Sequence, residues 1–265
     1  MLIFSTAGWT SPSDGAMEDL NHGRVAAIGP LLYSDADVLA VSKPEGMATI
    51  PERCRTGGCL VKVLGSELGM RLFVVHRLDK AASGVVVLAK NALAHRCLND
   101  QFAARLVDKR YLVLVHGRVD DDLGEIDLPL RAFGSGRMGV DRRRGKASLS
   151  RFRVLWRSEA ATFLSVALVT GRRHQIRVHL YAAGHPIVGD PRYGDIARQR
   201  AFPRMMLHAC RIGFRLPAGN PCTIWAPPPS TFRDLLTQLC PGAGDLDIDN
   251  GGCLDPGAPI SGKGG

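Results

Sequence analysis

One carboxylate in this sequence is surrounded by side chains that can carry positive charge. Asp79 lies within residues 76–80, His-Arg-Leu-Asp-Lys, just before Ser83-Gly84 and an apolar, β-branched segment. Neighbouring cations favour the charged form of a carboxylate, and a charged carboxylate is suited to act as a nucleophile. The simpler alternative is an aspartate that caps a turn, since Asp is common before turns that contain glycine. The local sequence leaves both interpretations open.

A second group of polar residues recurs at helical spacing. Residues 174–183 predict a helix that ends at Gly184, with Pro186 beyond it. His174, Arg177 and Tyr181 share one stripe of this helix, so the helix can present Arg177 to a cleft. Taken alone, an arginine at this spacing is more typical of an exposed helix surface.

The most basic segment of the chain is centred on residues 142–144, three consecutive arginines, with Lys146 close behind. A cluster of like charges is typical of the exposed tip of a hairpin. It is equally typical of a loop that contacts phosphate groups. The sequence supports both interpretations to the same extent.

The overall charge indicates a polyanionic partner. The chain has 265 residues and a net charge of +9, and only seven of its 34 basic residues are lysine. The remaining arginines offer planar forks that fit phosphates and stack on bases, which favours nucleic acid. A general preference for arginine codons is the alternative. Charged residues make up 22% of the chain, as is usual for a globular protein.

Other classes of protein are disfavoured by what the sequence lacks. It has no apolar segment of membrane-spanning length and no secretory signal, so we expect a cytoplasmic protein that binds no membrane. Its seven cysteines are scattered and make no zinc-site pattern, so we expect free thiols and no metal. No glycine-rich phosphate-binding motif follows a strand, so we expect no nucleotide cofactor.

The elements that position the candidate residues alternate in a way that favours an α+β fold, with a mostly antiparallel mixed sheet flanked by helices. The predicted strands are 31–33, 38–41, 84–88, 109–117, 152–156, 163–169 and 207–214, and the predicted helices are 60–68, 91–106, 174–183 and 230–239, the last with Ser230 as its N-cap. Residues 1–30 predict a poorly ordered or extended arm, residues 31–240 a single domain, and residues 241–265 a disordered tail rich in Gly and Asp.

Four segments taken together resemble the RluA family of pseudouridine synthases. They are Leu39–Met47 (LAVSKPEGM), His76–Gly84 (HRLDKAASG), Lys109–Gly117 (KRYLVLVHG), and Thr170–Leu180 (TGRRHQIRVHL) with its continuation to Gly194. Their order and separations resemble those of the family across about residues 31–233. One such motif would be weak support, but the combination is specific.

The resemblance implies the pseudouridine synthase catalytic fold over residues 31–240 and an activity that converts uridine to pseudouridine in ribosomal or transfer RNA. It implies that Asp79 is the catalytic aspartate, that Tyr111 packs on the target base, and that Arg177 pairs with the aspartate. It implies no metal and no cofactor. We expect RNA as the partner, no DNA, and a monomer.

The resemblance and the basic composition together suggest which residues bind the RNA. Arg77 is placed to fill the space that a flipped-out base leaves. The residues that we predict to contact RNA are His76, Arg77, Arg142, Arg143, Arg144, Lys146, Arg172, His174 and Gln175.

The sequence departs from the family pattern at two points. Ala82 stands where the family usually has threonine, so a hydroxyl near the active-site turn is missing. Some relatives carry an RNA-binding domain of the S4 type before the catalytic domain, and the arm of about thirty residues is too short for one. The alternative function is therefore an RNA-binding or assembly factor that keeps this fold but is catalytically silent.

Overall fold

We describe the protein from a computed structural model, which covers residues 28–51, 58–134 and 136–243, together with residues 246 and 248. Most of the predicted arm, residues 1–30, and most of the predicted tail, residues 241–265, lie outside the described residues. Ile28, at the end of the arm, is buried.

The described residues form twelve strands and five helices. The strands are β1 (Leu31–Ser34), β2 (Val38–Lys43), β3 (Phe73–Val74), β4 (Ser83–Ala89), β5 (Asp108–His116), β6 (Leu123–Asp127), β7 (Leu130–Ala132), β8 (Met138–Val140), β9 (Leu149–Arg157), β10 (Ala161–Leu168), β11 (Leu207–Arg215) and β12 (Pro221–Trp225). The helices are α1 (Leu60–Glu67), α2 (Ala92–Ala103), α3 (Gln175–Ala182), α4 (Ile196–Gln199) and α5 (Ser230–Leu239).

Ten of the strands form one mixed sheet. Its order is β1-β2-β4-β11-β5-β10-β9-β6, with β12 paired to β11 and β3 paired to β4, while β7 and β8 form a separate hairpin. Within the described residues the single parallel pairing joins β11 to β4. The prediction of a mostly antiparallel mixed sheet flanked by helices is therefore confirmed.

The central strand β4 carries the chain out of the segment that contains Asp79. All seven residues of β4 are buried, as its continuous apolar sequence predicts. One edge of β4 pairs with β2. The other edge pairs with β11 at its start and with β3 at its end, and residues 75–82 connect β3 to β4 beside that edge.

Gly84 is required where β4 and β11 approach each other. Its φ of +120° lies in the left-handed region that favours glycine, and a Cβ atom at this position would collide with the backbone of Ala209. The Ser83-Gly84 pair therefore allows the chain to enter the sheet directly after the segment 75–82.

Two predicted helix boundaries are corrected by the structure. Asn91 caps α2 by accepting a hydrogen bond from the Ala94 N–H, as predicted, but α2 ends at Ala103 instead of Leu106 because Arg105 adopts a left-handed conformation with φ 61°. The predicted N-cap of α5, Ser230, is wrong by one residue: Pro229 occupies the cap position without a side-chain hydrogen bond.

Five cysteines lie within the described residues, and all of them are free thiols: Cys59, Cys97, Cys210, Cys222 and Cys240. Among the described helices, none is both long and apolar enough to span a membrane.

Candidate active site

Asp79 lies in a cleft of about 520 Å³ between the segment 75–82, strand β5 and the start of α3. Asp79 is the only acidic residue among the described residues that line the cleft. The cationic residues of the lining are Arg77, Arg105, Lys109, Arg172, Arg173 and Arg177. A cleft with six cations around one carboxylate is suited to an anionic ligand such as a phosphodiester.

Thr49 anchors the segment that carries Asp79. Leu78 is buried, its N–H donates to Oγ1 of Thr49 at 3.1 Å, and that hydroxyl donates in turn to the Leu78 carbonyl at 3.2 Å. One side chain thus satisfies both backbone groups of the residue before Asp79. This arrangement keeps Asp79 at the cleft surface because its neighbour is anchored in the core.

A buried lysine closes the same segment against the loop after β2. Nζ of Lys43 donates to the carbonyls of Ala82 at 2.5 Å, Pro44 at 2.7 Å and Met47 at 2.8 Å. Burial lowers the pKa of Lys43 to about 7, although the negative charge of Asp79 opposes the shift. The Lys43 side chain thus joins the end of the Asp79 segment to the loop after β2.

Arg177 on α3 contacts Asp79 directly. Its Nη1 donates to Asp79 Oδ2 at 3.0 Å, and the side chains of Arg177 and Asp79 are only 5% and 15% exposed. The two residues are 98 positions apart in sequence. The helix therefore delivers the arginine to the aspartate, as the resemblance implies.

A second carboxylate, Asp190, orients Arg177 from behind. Asp190 is fully buried and accepts two hydrogen bonds of 2.8 Å from Nε and Nη2 of Arg177. It also accepts the backbone N–H groups of Arg192 and Tyr193. Burial opposes the charge of Arg177, but Asp190 and then Asp79 outweigh it and raise the pKa of the guanidinium. Such a bidentate pair fixes the plane of the guanidinium group.

His174 stands at the start of α3 in an unusual backbone conformation. Its φ of 55° and ψ of 21° are left-handed, which is uncommon for a residue other than glycine and is often found at functional sites. Nδ1 lies 2.9 Å from the Tyr193 hydroxyl, and Nε2 lies 3.7 Å from Asp79 Oδ1. Burial lowers the pKa of His174 to about 4, so the ring is neutral at pH 7. Tyr181, predicted on the same stripe, is exposed and lies near Tyr193.

Tyr111 enters the cleft from strand β5. It is buried, and it lines the cleft together with Lys109 from the same face of the strand. Burial, and then the charge of Asp79, raise the pKa of Tyr111, so its hydroxyl keeps its proton at neutral pH. Tyr111 therefore adds a neutral phenol to the cleft that holds the carboxylate of Asp79 and the guanidinium of Arg177.

Two of the residues predicted to contact RNA use their polar atoms inside the protein. His76 accepts the Val87 N–H at 2.9 Å and stacks on Phe102, and burial lowers its pKa to about 3. Gln175 is buried, and its side chain bonds Thr170, Leu149, Ser150 and the Arg172 N–H. Both residues also line the cleft. They support its walls, and their contact with RNA stays a prediction.

His174 was also predicted to contact RNA, and its Nδ1 lies against the Tyr193 hydroxyl. The remaining predicted RNA contacts divide into two groups. Arg77 and Arg172 line the cleft beside Asp79. The basic cluster of Arg142, Arg143, Arg144 and Lys146 is exposed between β8 and β9 and is not part of the cleft lining. Asp141 shapes this turn because it accepts the N–H groups of residues 143 and 144.

Several residues of the site receive no role in the sequence interpretation. They are Lys43, Arg105, Lys109, Arg173, Asp190 and Tyr193. For Asp190 a signal exists, since a buried arginine needs an acidic partner and Gly189-Asp190 follows α3 closely in sequence. Among the described residues, no group of His, Cys, Asp and Glu side chains is arranged to hold a metal ion.

The sequence of the chain is similar to those of known RNA pseudouridine synthases. The family model described as RNA pseudouridylate synthase matches residues 37–182. The ribosomal large subunit pseudouridine synthase D of Pseudomonas aeruginosa is 37% identical over 233 residues, covering 79% of this chain and 71% of the relative. The dual-specificity RNA pseudouridine synthase RluA of Vibrio parahaemolyticus is 38% identical over 197 residues, covering 72% of this chain and 79% of the relative.

A solved structure agrees with these matches. The human RNA pseudouridylate synthase domain containing 1 superimposes with a TM-score of 0.65 and 29% identity, covering 75% of this chain and 83% of the other. The similarity therefore extends over most of the catalytic region, in sequence and in fold.

Proposed function

The chain belongs to the RluA family of RNA pseudouridine synthases, which are isomerases, and on that basis we propose that Asp79 is its catalytic carboxylate. The observation that supports this role most directly is the 3.0 Å hydrogen bond between Asp79 and Arg177 within the basic cleft. A carboxylate held by a buried arginine is oriented before any substrate arrives. The cleft volume of about 520 Å³ is in the range of small-ligand sites and is large enough for a single nucleotide.

The reaction moves the uracil base without a change of redox state. The N1–C1′ bond of uridine breaks, the base rotates, a C5–C1′ bond forms, and the proton of C5 is lost while N1 gains one. Asp79 can serve this sequence in two ways. It adds to the nucleotide at C1′ or C6, or it removes a proton from the sugar so that a glycal forms.

Arg177 and Tyr111 complete the chemistry that we assign to the cleft. Arg177 stabilises the charge of Asp79 and fixes its direction, while Asp190 keeps the guanidinium in place. Tyr111 packs against the uracil ring, and its neutral hydroxyl assists removal of the C5 proton through a hydrogen bond.

A uridine in a stem must leave the stack to reach Asp79, at a cost of a few kcal/mol. Arg77 is exposed at the rim of the cleft and is placed to fill the vacated position. Arg172 and Arg173 offer positive charge on the opposite wall. The exposed cluster 142–146 extends this charge to phosphates further from the target uridine.

We assign the substrate to ribosomal or transfer RNA. One relative is named for the large ribosomal subunit and another for dual specificity, and the basic surface of this chain fits either structured RNA. We propose in addition that the protein is a cytoplasmic monomer that binds neither membrane nor DNA. Light scattering with and without RNA tests the monomer, and cell fractionation tests the location.

The decisive experiment compares the native protein with Asp79→Asn. RNA from cells that lack the protein is incubated with each form, and pseudouridines are mapped in ribosomal and transfer RNA separately. We expect new sites with the native protein alone and RNA affinities within a few-fold of each other. The fold should survive the change because Asp190 still neutralises Arg177. Equal turnover by Asp79→Asn would refute the role of Asp79.

The alternative function, a silent RNA-binding factor, depends on Ala82. Ala82 is buried, and its backbone carbonyl accepts a hydrogen bond from Lys43. Any residue at this position can supply that carbonyl. The missing hydroxyl leaves the contact between Asp79 and Arg177 in place. Absence of new pseudouridine with the native protein, together with tight RNA binding, would support the silent factor instead.

A further inference from the structure

Arg105 holds a backbone conformation that usually belongs to glycine. Its φ is 61°, and it follows α2 at a helix end where Leu106 N–H donates to the Gln101 carbonyl at 3.0 Å. Glycine is the common residue at this position because a Cβ atom strains the left-handed backbone. The Arg105 side chain is exposed and makes no ion pair with another described residue. Folding alone does not explain an arginine here.

The location of Arg105 links the cleft to a second groove. Arg105, Leu168 and Val169 line both the cleft that contains Asp79 and a groove of about 950 Å³. Strand β5 separates the two, because Lys109 and Tyr111 line the cleft while Asp108 and Arg110 line the groove. The two spaces therefore adjoin at the start of β5, where Arg105 lines both of them.

The groove has a floor of small side chains with arginines on each side. Ala167 of β10 pairs with Arg110 of β5 on one side and with Arg151 of β9 on the other. Two residues earlier in β10, Ser165 lies opposite Arg153 of β9. Because neighbours in register lie on the same face of the sheet, the arginines border a shallow channel above Ala167 and Ser165.

The charge of the groove favours an anionic occupant. Four arginines and two acidic residues line it, so its balance is positive. The acids Asp108 and Glu125 pair with Arg110 at 3.1 Å and Arg151 at 2.5 Å, and these partly exposed pairs can exchange for phosphates at small cost. Leu106 and Leu123 are 71% and 61% exposed at its edges and offer apolar contact to unpaired bases or ribose.

We propose that Arg105 and this groove bind the phosphate backbone of the RNA that adjoins the target uridine, an inference that rests on the proposed function of the cleft. The nucleotide that enters the cleft is covalently joined to its neighbours, and Arg105, which lines both spaces, directs these neighbours to the arginines of the groove. Arg105 contacts the first phosphate outside the cleft, and Arg110, Arg151 and Arg153 contact the following ones.

The test uses the full chain and a short fluorescent RNA hairpin with uridines in its loop, with affinity measured by anisotropy over a series of potassium chloride concentrations. Arg105→Gly should weaken binding about fivefold and make the log–log salt slope less negative by about 0.7–0.9, the value for one phosphate contact. Its melting temperature should be unchanged or higher, since glycine relieves the strain. Arg105→Lys should bind nearly as the native protein does.

Two matched controls separate local contact from general charge. Arg96→Ala removes a positive charge from the exposed side of α2, away from the cleft and groove linings, and should leave the salt slope unchanged. Ala167→Glu places a negative charge on the groove floor, and Ala167→Gln places the same volume without charge. Only Ala167→Glu should weaken RNA binding strongly.

Two results would overturn the inference. One is an Arg105→Gly variant with native affinity and native salt slope. The other is equal RNA affinity of Ala167→Glu and Ala167→Gln, which would leave the groove with its exposed leucines as a surface for a protein partner. Both measurements concern binding alone, so they are independent of whether the protein forms pseudouridine. Failure of the proposed function would appear only in the mapping experiment.

Discussion

Asp190→Asn isolates the contribution of the carboxylate that orients Arg177. The new amide keeps one oxygen that can accept the backbone N–H groups of Arg192 and Tyr193. It presents an NH₂ group, however, where Arg177 now donates one of its two 2.8 Å hydrogen bonds. The change therefore removes one charge and one bond from a guanidinium that is 5% exposed, while the side-chain volume stays the same.

The size of the effect on stability and on catalysis follows from this geometry. Breaking a buried ion pair costs about 3–5 kcal/mol, and because Asp79 still neutralises Arg177 we expect the lower end, about 3 kcal/mol. For a domain of this size that corresponds to a fall in Tm of roughly 6–12 °C. A displacement of the guanidinium by about 1 Å should lower kcat about 100-fold. RNA affinity should change little because Asp190 is fully buried.

The assay measures the rate of pseudouridine formation in a single turnover. The substrate uridine carries a hydrogen isotope at C5, and release of this isotope is followed at a temperature well below the Tm of the variant. Asp195→Asn is the matched control, since Asp195 is exposed in the same loop and accepts two backbone N–H groups at the start of α4. The control should keep native kcat and Tm. A near-native kcat for Asp190→Asn, or a loss that follows only the unfolded fraction, would refute the positioning role of Asp190.

Three further predictions concern separate parts of the molecule. Tyr111→Phe should keep RNA affinity and lower the single-turnover rate by about 100-fold, because the hydroxyl assists removal of the C5 proton; an unchanged rate would contradict this. Burial lowers the pKa of His208 from 6.5 to about 4. As the pH is lowered from 6.5 to 4, the unfolded chain therefore takes up this proton before the folded protein does, and the free energy of unfolding should fall by about 3 kcal/mol because of His208. Urea unfolding of the native protein and of His208→Asn checks this, and equal pH profiles would argue against it. Gly84→Ala should destabilise by more than about 4 kcal/mol, since its Cβ atom collides with Ala209, whereas Gly46→Ala meets only backbone strain of about 1–2 kcal/mol; similar thermal melts for the two would show the collision is relieved.

Much of the fold is predictable from local pattern. The apolar run of β4 indicates a strand buried on both faces, and the alternation of β5 places Lys109 and Tyr111 on one face. Asn91 signals the start of α2 because its side chain can satisfy a free N–H. The end of α2 is less predictable, since Arg105 takes a conformation that its residue type disfavours.

Only part of the candidate site can be predicted from the sequence in this way. Asp79 is notable within its own segment because of the cations beside it, and the motif resemblance implies a role for Arg177. The sequence also predicts an RNA role for Gln175, whose amide is occupied by four internal hydrogen bonds. Residue type indicates that a group can bind, but the packing around it determines whether its atoms are available.

The sequence by itself determined which chemical groups the site has and which strands and helices carry them, because these depend on residue type and on periods of two and 3.6. Only the tertiary structure determined that Arg177 reaches Asp79 across 98 positions, and that Asp190 holds it there. It likewise determined that Lys43 joins the end of the Asp79 segment to the loop after β2 and that Arg105 lines a second groove. These contacts depend on sheet register and on the parallel pairing of β4 with β11, which join segments that no local pattern relates.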